Sequence, residues 1–492
     1  MQSIKSNYKV NATVQFRVLS DDQCQEIYMA SLEILERTGV NVHAEEALSL
    51  LAKAGCWVDG VRVRIPSYLI KKALNTAPSR VVLCDRNGKR KLFLEGYNSY
   101  FGPGPTNPFY IDLETGERRN VVKRDVMDVA KVCDALPNID FVMSLAGLTD
   151  CPPALADVHE VHAMLQYTTK PLACWAVDGA GCRDIVEMCS VVAGGLEQLQ
   201  RSPFLVMYAG DPISPLIHPK EALEKLLFMA ERGLPVLYPP GLQLGGTAPV
   251  TIAGALAQGI ADNLVGLLLT QLKREGAPYI GGCIPVTMDM ATTTSCYGSP
   301  EAVLGHSAAA DVYHYLGLPF WSTAGATDAK MVDEQAVIES VFQCYSVALS
   351  GANLIHDVGF VESAMSGSLE QVVFGDEIIG MARRIVAGVE VNKDTLAVDT
   401  IDEIGPGGHF LGAEHTFNYF RQKTWFPTLI DRRRYFEWEQ GGKKTMKQRV
   451  NEKAKAILKN HQPELLPKEV VKKLDEIIQR AEQRLKTETG SR

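Results

Sequence analysis

Apolar residues along this chain fall into short runs, each closed by glycine, proline, aspartate or threonine and followed by a longer stretch with apolar positions at helical spacing. The stretch 319–362, PFWSTAGATDAKMVDEQAVIESVFQCYSVALSGANLIHDVGFVE, shows the unit most clearly. Residues 320–323 read as a strand, 324–333 as a polar loop with glycine, 334–350 as a helix and 353–358 as the next strand, with His356 near its C-terminal end. Strand, crossover helix and parallel strand make a βαβ unit. Similar runs at 99–103, 141–147, 172–177, 204–209, 235–238 and 279–284 bring the strands to eight. Helices are predicted at 123–136, 154–168, 184–196, 220–232, 251–274, 300–316, 334–350 and 369–387. Eight is the number that closes a parallel barrel filled by its own side chains. The predicted class is therefore α/β, a (β/α)8 TIM-type barrel, with a doubly wound open sheet as the alternative. Residues 109–121 break the period and read as a hairpin inserted after the first strand.

The two ends follow other patterns. Residues 1–96 read as an N-terminal α+β extension, with a helix over 20–38 capped by Ser20 and shorter helices over 44–54 and 67–75. Short strands at 61–65, 81–84 and 91–94 complete it, with Asn87-Gly88 as a hairpin turn. The barrel is placed at 97–390, and 391–492 is a strap and helical tail. Within that tail 398–441 is rich in aromatics, glycine and arginine, and 446–457 and 468–486 are charged amphipathic helices. An oligomer or partner surface is expected there.

Composition narrows the function classes. The chain has 492 residues, 46% hydrophobic and 22% charged, with a net charge of −8. That balance disfavours a nucleic-acid binder, which would show a basic stripe. No apolar run reaches the ~18 residues of a membrane helix, and the start lacks the apolar segment of a signal peptide. Eleven cysteines without a CxxC pair point to reduced thiols and a cytoplasmic protein. The glycine clusters at 102–105, 241–246 and 405–408 match neither GxGxxG nor a P-loop, so no nucleotide is expected, and no serine sits in a GxSxG elbow.

Chemistry in such a fold gathers at the C-terminal ends of the strands. Those ends deliver Phe101, Trp175, Tyr208 with Asp211, Tyr238 with Gln243 beyond it, Cys283, Thr327, Asp328 and Lys330, and His356 with Glu362. Rings at several strand ends can cage a quaternary ammonium by cation–π attraction, although any one of them alone is better explained by core packing. His356 reads as an anion binder, a general base or a satisfied core histidine. Asp357 falls on the opposite face of a regular strand, so the two are not expected to form a dyad. Asp328 and Lys330 share a loop and either pair together or bind a polar substrate tail. His159 and His162 lie three apart on a helix, without a third ligand nearby, and read as a solvated or interface face rather than a metal site.

Several long motifs are more specific than these positions: GPGPTNPFYIDLETGERR (102–119), GGCIPVTMDMATTTSCYGSPE (281–301), STAGATDAKMVDEQA (322–336), LSGANLIHDVGF (349–360), GPGGHFLGAEHT (405–416) and WFPTLIDRRRYFEW (425–438). In these the chain resembles, over essentially its whole length, the trimethylamine methyltransferase family of corrinoid-dependent barrel enzymes. Members acting on trimethylamine carry pyrrolysine, and this sequence shows ordinary residues throughout. The resemblance therefore implies a quaternary-amine methyltransferase, with glycine betaine first and proline betaine, carnitine, γ-butyrobetaine or trimethylamine as alternatives. It implies cobalamin or another corrinoid as methyl acceptor, brought by a small corrinoid-binding protein, and a homo-oligomer. On that reading Phe101, Trp175, Tyr208 and Tyr238 cage the ammonium, while His356 with Lys330 or Gln243 holds a carboxylate. Asp328 and Glu362 add attraction, and Asp328, Lys330 and Glu362 are the candidate catalytic set. A non-catalytic betaine-binding protein and a Schiff-base barrel enzyme using Lys330 are the competing classes.

Overall fold

The computed structural model describes residues 14–490, with side chains to 487. Its centre is a parallel sheet of β1 (Tyr100–Phe101), β2 (Leu172–Trp175), β3 (Leu205–Tyr208), β4 (Val236–Leu237), β5 (Tyr279–Gly282), β6 (Phe320–Thr323) and β7 (Leu354–His356). These follow one another in order, and β7 pairs back onto β1 through Leu354 with Tyr100 and Ile355 with Phe101. The gap between β1 and β2 is filled by the stretch around 140–142. The Asp140 N–H donates to Phe101 O at 2.6 Å, and Val142 bridges Leu172 in parallel. The ring is thus closed, as expected, but the second strand predicted at 141–147 shrinks to single bridges. Leu145 adopts a left-handed φ of +66° within it, which no extended ladder tolerates.

The interleaved helices are α1 (Lys123–Ala135), α2 (Ala156–Tyr167), α3 (Gly179–Ala193), α4 (Lys220–Arg232), α5 (Ile252–Lys273), α6 (Pro300–Leu316), α7 (Glu334–Ser350) and α8 (Leu369–Val386). Local chemistry fixes several of their starts. Asp178 accepts from Ala180 N and Gly181 N, so α3 begins five residues before the predicted 184. Ser299 caps α6 with Pro300 at its first position, and Asp333 caps α7. Helix α5, contrary to expectation, is long and apolar enough by composition to cross a membrane, because its few polar residues are spread singly among apolar ones. It packs as a core helix instead, with most of its length buried.

Alternation along the strands separates two packing layers. Tyr100, Ala173, Val206, Leu237, Ile280, Trp321 and Leu354, with Phe141, fill the barrel interior. Phe101, Cys174, Met207, Tyr238, Tyr279, Phe320 and Ile355 face the helices. Val81–Cys84 and Arg90–Leu94 form the expected hairpin, and Val81, Leu83, Leu92 and Leu94 join the interior layer. Val40–Val42, from the N-terminal section, pairs in parallel with Ile217–His218.

The tail returns along the outside. The Glu377 carboxylate on α8 accepts the N–H groups of Thr428, Leu429 and Ile430. The helix Met446–Asn460 packs on α8 and α1, and Lys468–Gly490 lies across α2 and α3. His162 Nε2 meets Asp475 at 2.8 Å and His159 Nε2 lies 3.5 Å from Glu482. Both histidines are buried under this helix, so the expected solvated face is instead a contact inside the chain.

Candidate active site

A cavity of about 420 Å³ opens at the C-terminal ends of the strands. Its walls come from Pro105–Asn107 after β1, Tyr208 and Asp211 after β3, Leu242, Gln243 and Thr247 after β4, Ile284, Val286, Ser295 and Tyr297 after β5, and His356, Asp357, Phe360 and Ala364 after β7. Two small sheets build its rim. Gly241–Leu244 pairs with Ile284–Met288, which turns back through Ser295–Cys296. Phe360–Val361, Ser366–Ser368, Phe109–Ile111 and Arg118–Arg119 form the second, and it includes the predicted 109–121 hairpin.

Beneath the cavity lies Trp321, fully buried, its indole N–H without a hydrogen-bond partner. Its ring centroid is 4.3 Å from His356 and 6.0 Å from both Tyr208 and Phe141. His356 Nδ1 donates to the Ser322 carbonyl at 2.9 Å, which leaves Nε2 pointing at Asp357 Oδ1, 3.3 Å away. The pair expected to diverge therefore meets. The strand ends at His356, and Asp357 takes a φ of +79°, which breaks the alternation and swings its carboxylate back. Thr323 Oγ1 donates to the other oxygen of Asp357. Burial pushes the Asp357 carboxyl up, against the opposing pull of His356 and Thr323. Across the cavity the Tyr208 hydroxyl donates to Asp211. Asp211 is solvent-exposed at the rim of the cavity, with protein packed on the inner side of its carboxyl. That packing pushes its carboxyl up to about 6, while Tyr208 and the more distant Lys225 draw it down.

The residues expected from sequence divide. Tyr208, Gln243 and His356 line the cavity. Phe101 and Tyr238 point outward to the helix layer, and Tyr238 holds His218 Nδ1 at 3.1 Å there. The Trp175 indole donates to the buried Glu160 carboxyl on α2 at 2.7 Å. The four-ring cage is not assembled, because strand alternation sends two of its rings to the outer face. Cys283 is fully buried on that same face. Asp328 accepts the N–H groups of Tyr297 and Gly298, each at 3.0 Å, and the Ser363 hydroxyl at 2.9 Å, so its carboxylate ties two rim loops together. Lys330 is exposed, and its ammonium donates to the Asp328 backbone carbonyl rather than the side chain. Glu362 is engaged by Arg118 Nε at 2.8 Å and Ser366 Oγ at 2.6 Å on the rim. Thr327 is buried against Glu339. The candidate catalytic set of Asp328, Lys330 and Glu362 thus stands outside the cavity wall.

What sequence reasoning missed is mostly on loops. Asn107 lines the cavity at 1% exposure, with neither its amide nitrogen nor its oxygen partnered. Tyr297, Ser295 and Phe360 join it, and Gln243 Nε2 donates to Ser295 Oγ at 3.2 Å. Thr106, Asp357 and Ala364 all line the cavity with left-handed φ angles of 62°, 79° and 66°. Such conformations are costly without glycine and concentrate where a structure must aim particular groups. Gly104 is used differently. A Cβ there would run into Asp357 Oδ1 and the Phe360 ring, so the glycine lets the first loop pass tight against the cavity's acid.

The family model for trimethylamine methyltransferase (MTTB) matches residues 2–486. A trimethylamine methyltransferase of Desulfitobacterium hafniense is 32% identical over 465 residues, covering 94% of this chain and 93% of that one. A glycine betaine methyltransferase from another strain of that species is 31% identical over 470 residues, covering 94% and 97%. Among solved structures, the monomethylamine methyltransferase of Methanosarcina barkeri aligns with a TM-score of 0.52 at 12% identity, covering 91% of this chain and 88% of that one, which supports the barrel fold. Full-length matches of this kind, on a closed barrel with its cavity at the C-terminal face, place the chain in the trimethylamine methyltransferase family.

Proposed function

We propose that this chain moves a methyl group from a quaternary ammonium to the Co(I) of a corrinoid carried by a separate small protein. The observation that supports this reading is the cavity's inventory. It offers two carboxyl groups, Asp211 and Asp357, beside Tyr208, Tyr297 and Phe360, which suits a methylated cation. Its wall carries no thiol and no amine among the described residues, so no strong nucleophile in the chain stands ready to accept the methyl itself. Co(I) supplies the electron pair that takes up the methyl, and the electron pair of the broken N–CH3 bond stays on nitrogen, leaving a neutral tertiary amine. No proton moves in that step. The chain's own task is to hold the cation, aim one N–CH3 bond outward through the mouth, and exclude water. Incubation with cob(I)alamin and quaternary amines tests this through the change in cobalt absorbance on methylation.

A homo-oligomer belongs to the same proposal. The helices Lys393–Leu396, Val398–Ile404, Glu414–Lys423 and Tyr435–Gln440 bury no residue. Val389, Leu411 and Phe417 are 76%, 87% and 76% exposed. Exposed apolar side chains of this size concentrated in one segment mark an interaction surface. This segment follows the end of α8 and leads into the helix Met446–Asn460. A second copy of the chain fits it.

A further inference from the structure

We propose that the donor enters this cavity as a net cation, its ammonium facing Asp211 and its remaining arm ending in an uncharged hydrogen-bonding group, so that zwitterionic betaines are disfavoured. The inference rests on the reading of this cavity as the methyl-donor site and narrows its substrate class. A betaine needs a cationic group or a cluster of free donors for its carboxylate. None of the described lining residues is lysine or arginine. The basic side chain in the wall, His356, spends Nδ1 on the Ser322 carbonyl and holds Nε2 3.3 Å from the Asp357 carboxyl, so that it faces an acid of the protein. Lys330 is turned to its own loop, and Lys225 donates to the Ala176 carbonyl behind the wall. A carboxylate placed here would therefore meet two acidic groups with no lysine or arginine among the described wall residues to offset them, and like charges repel.

The uncharged groups are better placed. The Asn107 amide is buried in the wall with both polar atoms unpartnered, and Gln243 and Ser295 line the same cavity. An unmade pair of amide hydrogen bonds in a cavity wall is a site that a ligand hydroxyl, ester or amide can fill. The matching donor is a trimethylammonium group on a short arm with such a terminus.

The test is calorimetric binding to the full chain at pH 7.5, without corrinoid, using a matched pair: glycine betaine and its methyl ester, which masks the carboxylate while keeping the trimethylammonium. Choline, tetramethylammonium and the neutral isostere 3,3-dimethyl-1-butanol complete the panel. The proposal expects the ester and choline to bind at least ten-fold more tightly than betaine, and the neutral alcohol not to bind. It also expects Asn107→Ser to weaken choline at least three-fold while leaving tetramethylammonium within two-fold. Betaine binding as tightly as its ester would overturn the charge selection and leave the methyl-transfer reading standing. Cations that bind as expected but are never demethylated would sustain the selection and sink the transfer reading. Binding of none of the cations would overturn both.

Discussion

Asp211 is the group on which the cation site turns, and Asp211→Asn isolates its charge. Asparagine keeps an oxygen to accept from the Tyr208 hydroxyl, so the local bond survives while the charge is lost. An ammonium seated about 5 Å from the carboxylate gains about 3 kcal/mol at an effective dielectric near 20. Asp211 is solvent-exposed, and screening reduces this to about 1.5 kcal/mol, or about ten-fold in Kd. The assay is calorimetric titration of tetramethylammonium into both proteins. The pH dependence adds a second signature. Desolvation by the neighbouring protein raises the Asp211 carboxyl to about 6, so the wild-type protein should lose affinity as pH falls through that value and the carboxylate protonates. The other groups facing it are Asp357, also raised by burial, Tyr208 and Tyr297, whose phenols stay protonated throughout this range, and the buried Lys225. His356 sits behind Asp357. The variant should show a much flatter profile between pH 7.5 and 5.5. Equal affinities for the two proteins at pH 7.5, with the same loss on acidification, would refute the electrostatic assignment.

Three further expectations follow from other parts of the molecule. Gly104→Ala should weaken cation binding at least ten-fold with a stability loss of about 1–3 kcal/mol, since the added methyl must displace Asp357 or Phe360; calorimetry and thermal melts read the two effects separately. Burial pushes the Glu160 carboxyl up to about 8, so the folded chain keeps a proton there that the unfolded chain releases near 4.5. Stability should therefore fall between about pH 5 and 8, by at most about 1.4 kcal/mol per pH unit, and Glu160→Gln should reduce that slope in melts across the range. The double variant Leu411→Glu, Phe417→Glu should run as a monomer by light scattering where the wild-type chain runs as an oligomer; an unchanged mass would move the self-association surface elsewhere.

The barrel was legible because its signal repeats. Seven of the eight predicted runs became strands, and helices such as Lys220–Arg232, Pro300–Leu316 and Glu334–Ser350 came out with the expected bounds. The cavity was harder to read, for a reason that alternation makes plain. Choosing the last residue of each strand ignores which face it occupies. Tyr208 and His356 fall in phase with the interior residues Val206 and Leu354, whereas Phe101 and Tyr238 fall in the other phase. Counting parity from Leu237, Trp321 and Leu354 would have removed the two misplaced rings and drawn attention to Trp321. Asp357 was hidden for a different reason. Its left-handed backbone breaks the rule on which the expectation rested, and the Gly359 that follows, with φ of +109°, is the nearest hint of an irregular turn. Asn107, Tyr297 and Ser295 come from rim loops whose approach depends on long-range pairing such as Thr287 with Cys296, which no local pattern encodes.

The most direct test of the central claim is methylation of cob(I)alamin by the purified chain, followed spectroscopically, with tetramethylammonium, choline, glycine betaine and its methyl ester, proline betaine, carnitine, γ-butyrobetaine and trimethylamine as donors, each with and without a corrinoid-binding protein. The account predicts methylcobalt formation with at least one quaternary ammonium, a matching yield of the tertiary amine, and loss of turnover in Asp211→Asn at limiting donor. No methylcobalt with any donor, even with the corrinoid protein present and cation binding demonstrated, would contradict it.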